Sequence, residues 1–116
     1  TPVRDITERS FRFAARIVRL VNALPRSVAG YIIARQVMRV GSSVGANVEE
    51  AQAASSKKEF TRRMEIAQSA AREVLYWLRL VAECGLVPKI RVADLHREAD
   101  ELVRIITTIA KRSRGR

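Results

Sequence analysis

The feature that most constrains this chain is a spacing. Between residues 60 and 81 the apolar side chains fall at Phe60, Met64, Ala67, Ala71, Val74, Leu78 and Val81, in steps of 4-3-4-3-4-3. At about 3.6 residues per turn, that alternation keeps a narrow apolar seam on one side of an α-helix, the pattern of a helix packed into a bundle. Three more stretches carry the same period. They are Ile6, Phe13, Ile17, Leu20 and Leu24, with Ser10 in the remaining place; Ile33, Val37, Val40, Val44, Val48 and Ala51; and Val92, Leu95, Ala99, Leu102, Ile106 and Ile109. A strand needs alternation by twos, which none of the four sustains.

The breaks between the seams agree with their periods. Ser27 is placed to cap a helix after Pro25. Ser56 and Glu59 form the S-x-x-E spacing of a capping box. Gly85 suits the left-handed position that closes a helix, and Pro88 suits the first turn of the next. The sequence therefore predicts helices near residues 6–23, 28–54, 57–84 and 89–112. Short connections between long helices make neighbours antiparallel, so the expected fold is all-α, an up-down-up-down four-helix bundle. One domain should span residues 1–116, with the basic tail 111–116 frayed or disordered for want of apolar partners. A helix of 27 residues is about 40 Å long, so the bundle should be a rod with accessible flanks.

Several large apolar residues lie beside the seams. Phe11, Val18 and Ile105 read as extensions of the core. Tyr76 and Trp77 fit either the core or a subunit interface, and are the candidates for oligomer contact. The small residues Gly41, Ser42, Ser43 and Gly45 keep helical register through their valine flanks, and read as a place where another helix approaches closely.

Charge narrows the function classes. Lys and Arg total 22 against 12 acidic residues, a net charge of +10, and 18 of the 22 are arginine. Such a chain attracts polyanions, and the guanidinium fork suits phosphate oxygens, although an arginine-rich surface with no ligand has the same composition. The basic residues are organised. Arg9, Arg12, Arg16 and Arg19 occupy an arc of about 80° on the first helix at 100° per residue. Arg35 and Arg39 stand one turn apart on the second, and Lys57, Lys58, Arg62 and Arg63 crowd the start of the third. These ten are the candidate nucleic-acid-binding residues, expected to grip phosphates. No helix-turn-helix turn, zinc-finger spacing or aromatic-rich strand pair accompanies them.

Catalytic signals are sparse. The single cysteine, Cys84, forms no intrachain disulfide and no cysteine zinc site. His96 is the single histidine and reads as a solvated partner of Asp100. Asp94, Glu98 and Glu101 read as a salted face opposite Arg91, Arg97 and Arg104. There is no phosphate-binding glycine loop, nucleophile elbow or Cys–His pair. No enzyme activity, metal or cofactor is expected. No apolar run reaches the length of a membrane span, and Thr1–Asp5 has neither the charged nor the apolar part of a signal peptide. The expected location is the cytoplasm.

The run from Gln36 through Arg39, Ser43, Asn47 and Glu50, followed by Ser56-Lys57-Lys58-Glu59-Phe60 and by Glu73, resembles the 23S rRNA intervening-sequence proteins, small bacterial four-helix bundles. Gln36, Arg39, Ser43, Asn47, Glu50, Lys58, Glu59, Phe60 and Glu73 match the family pattern; Gly45, Glu49 and Ala51 depart from it. The motif residues are expected to be structural. The resemblance implies a basic homopentameric ring. It also implies a likeness to the accessory protein of diversity-generating retroelements, whose partners are nucleic acid and a reverse transcriptase. Together these readings predict a non-enzymatic, oligomeric, nucleic-acid-binding bundle, with a protein–protein adaptor ring as the alternative.

Overall fold

A computed structural model describes residues 3–115 of the chain, with side chains from Asp5 onward. Its elements are α1 (Val3–Ala23), α2 (Val28–Gln52), α3 (Lys57–Glu83) and α4 (Lys89–Arg114). Each helix packs on the next, and α4 returns to touch α1, the pair with the thinnest contact. The molecule is a rod of 46 × 21 × 19 Å with a radius of gyration of 14.5 Å, against about 13 Å for a spherical domain of this length. No strand occurs among the described residues.

The seams meet along the axis. Phe13, Ile17, Val37, Val44, Met64, Val74, Leu78, Leu102 and Ile106 are essentially inaccessible. At about 1.5–3 kcal/mol for each large side chain removed from water, this column is the main source of stability. Ser10 is fully buried within it. Its hydroxyl donates to the Thr7 carbonyl at 3.1 Å, so a polar residue in the α1 seam is satisfied within its own helix.

The helix ends form largely as predicted. Ser27 Oγ accepts from the Gly30 N–H at 3.0 Å, and Ser56 Oγ from the Glu59 N–H at 3.1 Å. The capping box is half used, because the Glu59 carboxylate turns to Arg63 instead. Gly85, at φ 64°, closes α3. The Leu86 N–H reaches the Val81 carbonyl and the Gly85 N–H the Ala82 carbonyl, the paired bonds of a Schellman ending.

Three expectations change. The tail does not fray at Lys111: α4 continues to Arg114, with Ala110 buried, Ser113 hydrogen-bonded to Thr61 and Arg114 paired with Glu65 of α3. Arg116 lies outside the described residues. Phe11 and Val18 are not core; Phe11 is 63% exposed. The cause is the close approach of α1 to α2. A side chain at Gly41 would meet Ile17 at 2.8 Å, and one at Gly45 would meet the Ser10 carbonyl at 3.1 Å. Backbones this near leave no slot between them, and Phe11 and Val18, standing about 100° or more round α1 from Ile17 and Phe13, face outward. Third, Asp100 pairs with Arg104 at 2.9 Å rather than with His96.

Candidate nucleic-acid interface

The four arginines of α1 share a stripe, but α4 divides them. Arg9 faces Glu98 and Glu101. Its Nη2 lies 2.7 Å from Glu98 Oε1 and 2.9 Å from Glu101 Oε1, and its Nε donates to Glu98 Oε2 at 3.1 Å. The fork against Glu98 is bidentate, the strong form of this pair. Glu98 raises the Arg9 pKa most, and Glu101 adds to it against the opposing pull of burial. Arg9 is thus a structural cation that ties α1 to α4. Arg12 pairs with Glu8 one turn back, at 3.2 Å on an exposed face, which contributes little.

Arg16 and Arg19 have no carboxylate partner among the described residues. They border a concavity of about 180 Å³ between α1 and α4, completed by Leu20, Arg91, Asp94 and Leu95. The Asp94 carboxylate is held by Arg97 on its own helix. Arg91 is the residue that sequence reasoning missed. It reads in sequence as part of a salted face with Asp94, but Arg97, three residues beyond Asp94, takes that carboxylate and leaves Arg91 free.

The other candidates divide the same way. Arg39 is engaged: Nε and Nη2 donate to Gln36 Oε1 at 3.1 and 2.7 Å, and Nη2 meets Glu73 Oε2 at 2.7 Å across the α2–α3 interface. Trp77 Nε1 donates to the same Glu73 oxygen at 3.0 Å. That indole bond, followed by Arg39, holds the Glu73 carboxyl below the usual range despite the opposing effect of burial. Arg63 is engaged as well, with Nε on Glu59 at 3.1 Å and Nη1 on Asn47 Oδ1 at 3.2 Å. The buried Asn47 amide in turn donates to the Ser43 carbonyl at 2.9 Å and to Ser43 Oγ at 3.0 Å. Gln36, Arg39 and Glu73 therefore form one α2–α3 strap, and Ser43, Asn47, Glu59 and Arg63 a second. Phe60 packs half-buried against the core. Glu50, expected from the motif to be structural, is exposed and has no side-chain partner among the described residues.

Arg35, Lys57, Lys58 and Arg62 are exposed and have no ion pair among the described residues. The lysines and Arg62 share their end of the rod with Lys111 and Arg112, which are likewise exposed and without an ion pair among the described residues, and with Asp5, Glu49 and Glu50, exposed carboxylates that also have no ion-pair partner among the described residues. The opposite end, built from the α1–α2 and α3–α4 connections, is different. There Arg16, Arg19, Arg26, Arg35, Arg79, Lys89 and Arg91 are all unpaired, against the single unpaired carboxylate of Glu83 among the described residues. Exposed apolar groups stand among them: Tyr31, Ile32, Ile90, and Tyr76 at 58% exposure. Tyr76 meets Trp77 edge-on at 5.1 Å between ring centroids. Trp77 is half-buried and anchored through its indole N–H, so Tyr76 is the more accessible of the two proposed interface aromatics.

No group of three or more His, Cys, Asp or Glu side chains able to hold a metal ion occurs among the described residues. No described helix is long and apolar enough to cross a membrane.

Comparison with known proteins gives the fold a context. The crystal structure of a protein of unknown function from the S23 ribosomal protein family of Bacteroides thetaiotaomicron superposes with a TM-score of 0.89 at 28% sequence identity, covering 96% of this chain and 99% of that one. No protein of curated function is significantly similar in sequence. The family model described as 23S rRNA-intervening sequence protein matches residues 4–108. With the match running from the start of α1 well into α4, the chain belongs to the 23S rRNA-intervening sequence protein family.

Proposed function

We propose that this protein is a non-enzymatic, oligomeric bundle that binds nucleic acid through phosphate contacts at the end carrying the α1–α2 and α3–α4 connections. The observation that carries this reading is the uneven fate of the cations. Seven arginines are matched with carboxylates, with four pairs between helices. Among the described residues, unpaired cations occur at both ends, but at the far end three free carboxylates stand beside them and at the connection end only Glu83 does. Unpaired cations on a small rod repel one another and attract a polyanion, whose bound counterions are released when phosphates take their place. Exposed aromatic rings beside the cations supply stacking surface for unpaired bases. The carboxylates Glu59, Glu65, Glu73, Glu98 and Glu101 are each committed to an arginine, which favours a structural role over acid–base chemistry.

The ring implied by the family resemblance, a homopentamer, fits two separate apolar flanks. Phe11, Val18 and Tyr31 lie on α1 and α2; Tyr76, Trp77 and Leu80 lie on α3. A cyclic assembly joins two different surfaces, one from each neighbour, so two unlike flanks suit it better than one self-complementary patch. The same flanks favour the second reading, an adaptor that contacts a protein partner such as a reverse transcriptase.

The test is binding of generic single-stranded RNA as a function of salt, alongside light scattering. The expected result is a mass several times 13.0 kDa and binding that falls steeply as salt rises, with a log–log slope of about −0.7 per phosphate contacted. A monomer, or an oligomer that binds no nucleic acid at about 50 mM salt, a condition where phosphate contacts are strong, refutes this reading; the second outcome supports the adaptor.

A further inference from the structure

We infer that the concavity between α1 and α4 is a discrete seat for one phosphate group of a nucleic-acid strand, gripped by Arg16, Arg19 and Arg91. The identity of the strand rests on the proposed function; the anion seat rests on the geometry. Arginines from two helices converge on a hollow of about 180 Å³ with leucine walls at Leu20 and Leu95. Its one carboxylate, Asp94, is already held by Arg97. Leaving guanidinium groups together without a counter-charge is unfavourable, and this same helix pair shows the alternative: Arg9 receives both Glu98 and Glu101. A phosphate in the hollow supplies the missing charge and acceptor oxygens for planar forks.

A second feature points the same way. Arg91 stands in the first turn of α4, whose N-cap, Pro88, makes no side-chain capping bond. The positive end of the helix dipole therefore lies beside the hollow and adds to its potential. The lining offers guanidinium donors from Arg16, Arg19 and Arg91, groups suited to phosphate oxygens, so the seat grips backbone and positions a strand without reading its sequence.

The test compares two double variants of the full chain. Arg19→Gln with Arg91→Gln removes two exposed cations from the hollow; Lys57→Gln with Lys58→Gln removes two from the far end. The first should weaken single-stranded RNA binding at least tenfold and flatten the salt slope by about 1.4, two contacts at about 0.7 each, with the melting temperature unchanged. The second should change both much less. Equal losses in the two variants, or wild-type binding in the first, overturn the seat while leaving nucleic-acid binding standing. Inorganic pyrophosphate is the second probe, read by NMR of the arginine Nε–H groups. Shifts confined to Arg16, Arg19 and Arg91 support the seat even if the protein binds no RNA, an outcome that would refute the proposed function alone. Absence of those shifts counts against the seat.

Discussion

The two halves of the arginine stripe on α1 began as equals. Arg9 and Arg12 lie toward the start of the helix, Arg16 and Arg19 two turns on, all within one narrow arc. In the bundle their fates separate. Arg9 meets two glutamates from α4 and becomes part of the structure. Arg12 finds Glu8 within its own helix. Arg16 and Arg19 meet a third arginine, Arg91, and a carboxylate already taken. The difference teaches that a basic stripe is not a binding surface by virtue of its charge. What matters is which cations the fold leaves unsatisfied, and that depends on the register of a helix some 90 residues away in sequence, as the 89-residue separation of Arg9 and Glu98 shows.

The comparison makes its largest claim about stability. Arg9→Ala should cost about 2 kcal/mol, because a hydrogen-bonded, partly buried ion pair is lost and two carboxylates remain without a partner. Arg19→Ala, on an exposed and unpaired position, should stay within about 0.5 kcal/mol of wild type. Urea denaturation of both variants measures this directly, and equal destabilisation would erase the distinction between the two halves.

A smaller effect is expected when the paired half is converted into the free kind. Replacing Glu98 and Glu101 together with Gln releases Arg9 and removes two negative charges from the α1–α4 groove. RNA affinity should then rise roughly two- to tenfold at low salt even as the bundle loses stability, since exposed cations add phosphate contacts. Unchanged affinity in a folded variant would mean that the strand does not pass along this groove.

The smallest effect concerns Glu73, which shares the engaged character of Arg9 on the opposite side of the bundle. Its carboxyl pKa is depressed in the folded state, first by the Trp77 indole and then by Arg39. A depressed carboxyl contributes stability above its unfolded pKa, about 4.3 for Glu, and loses that contribution as pH falls through the lower folded value. Wild type should therefore lose a small increment of stability in that acid window that Glu73→Gln does not, and the increment is modest because the pair is well solvated. Parallel acid limbs for the two proteins would show that the strap carries no pH-dependent stability.

Much of the architecture was legible before any coordinates. Apolar spacing is a local property: residues three and four apart share a helix face whatever the rest of the chain does, so the seams from Ile6 to Ile106 and the caps at Ser27, Ser56 and Gly85 could be read residue by residue. The small residues at Gly41 and Gly45 were likewise readable as a close approach, because the valines on either side hold the helical register through them. What the sequence left open was the lateral position of groups beside the seams. Phe11 and Val18 depend on how near α1 comes to α2, and Lys111–Arg114 on whether α3 offers Glu65 and Thr61 at the right height.

Ion pairing belongs partly to each kind: Glu8–Arg12, Glu59–Arg63, Asp94–Arg97 and Asp100–Arg104 are neighbours three or four apart on one helix, whereas Arg9, Arg39 and Arg114 find their carboxylates on another. Asp94 could have answered Arg91 and instead answers Arg97; Glu59 could have closed its own capping box and instead holds Arg63. Short-range electrostatics decides such contests over a few ångströms, a scale that a helical pattern leaves undetermined by a full turn. The sequence by itself determined four helices, their order, their buried faces and an excess of positive charge, because these follow from local periodicity and composition. Only the tertiary structure decided which arginines hold the bundle together and which remain available to a ligand, because that choice rests on side chains brought side by side from distant parts of the chain.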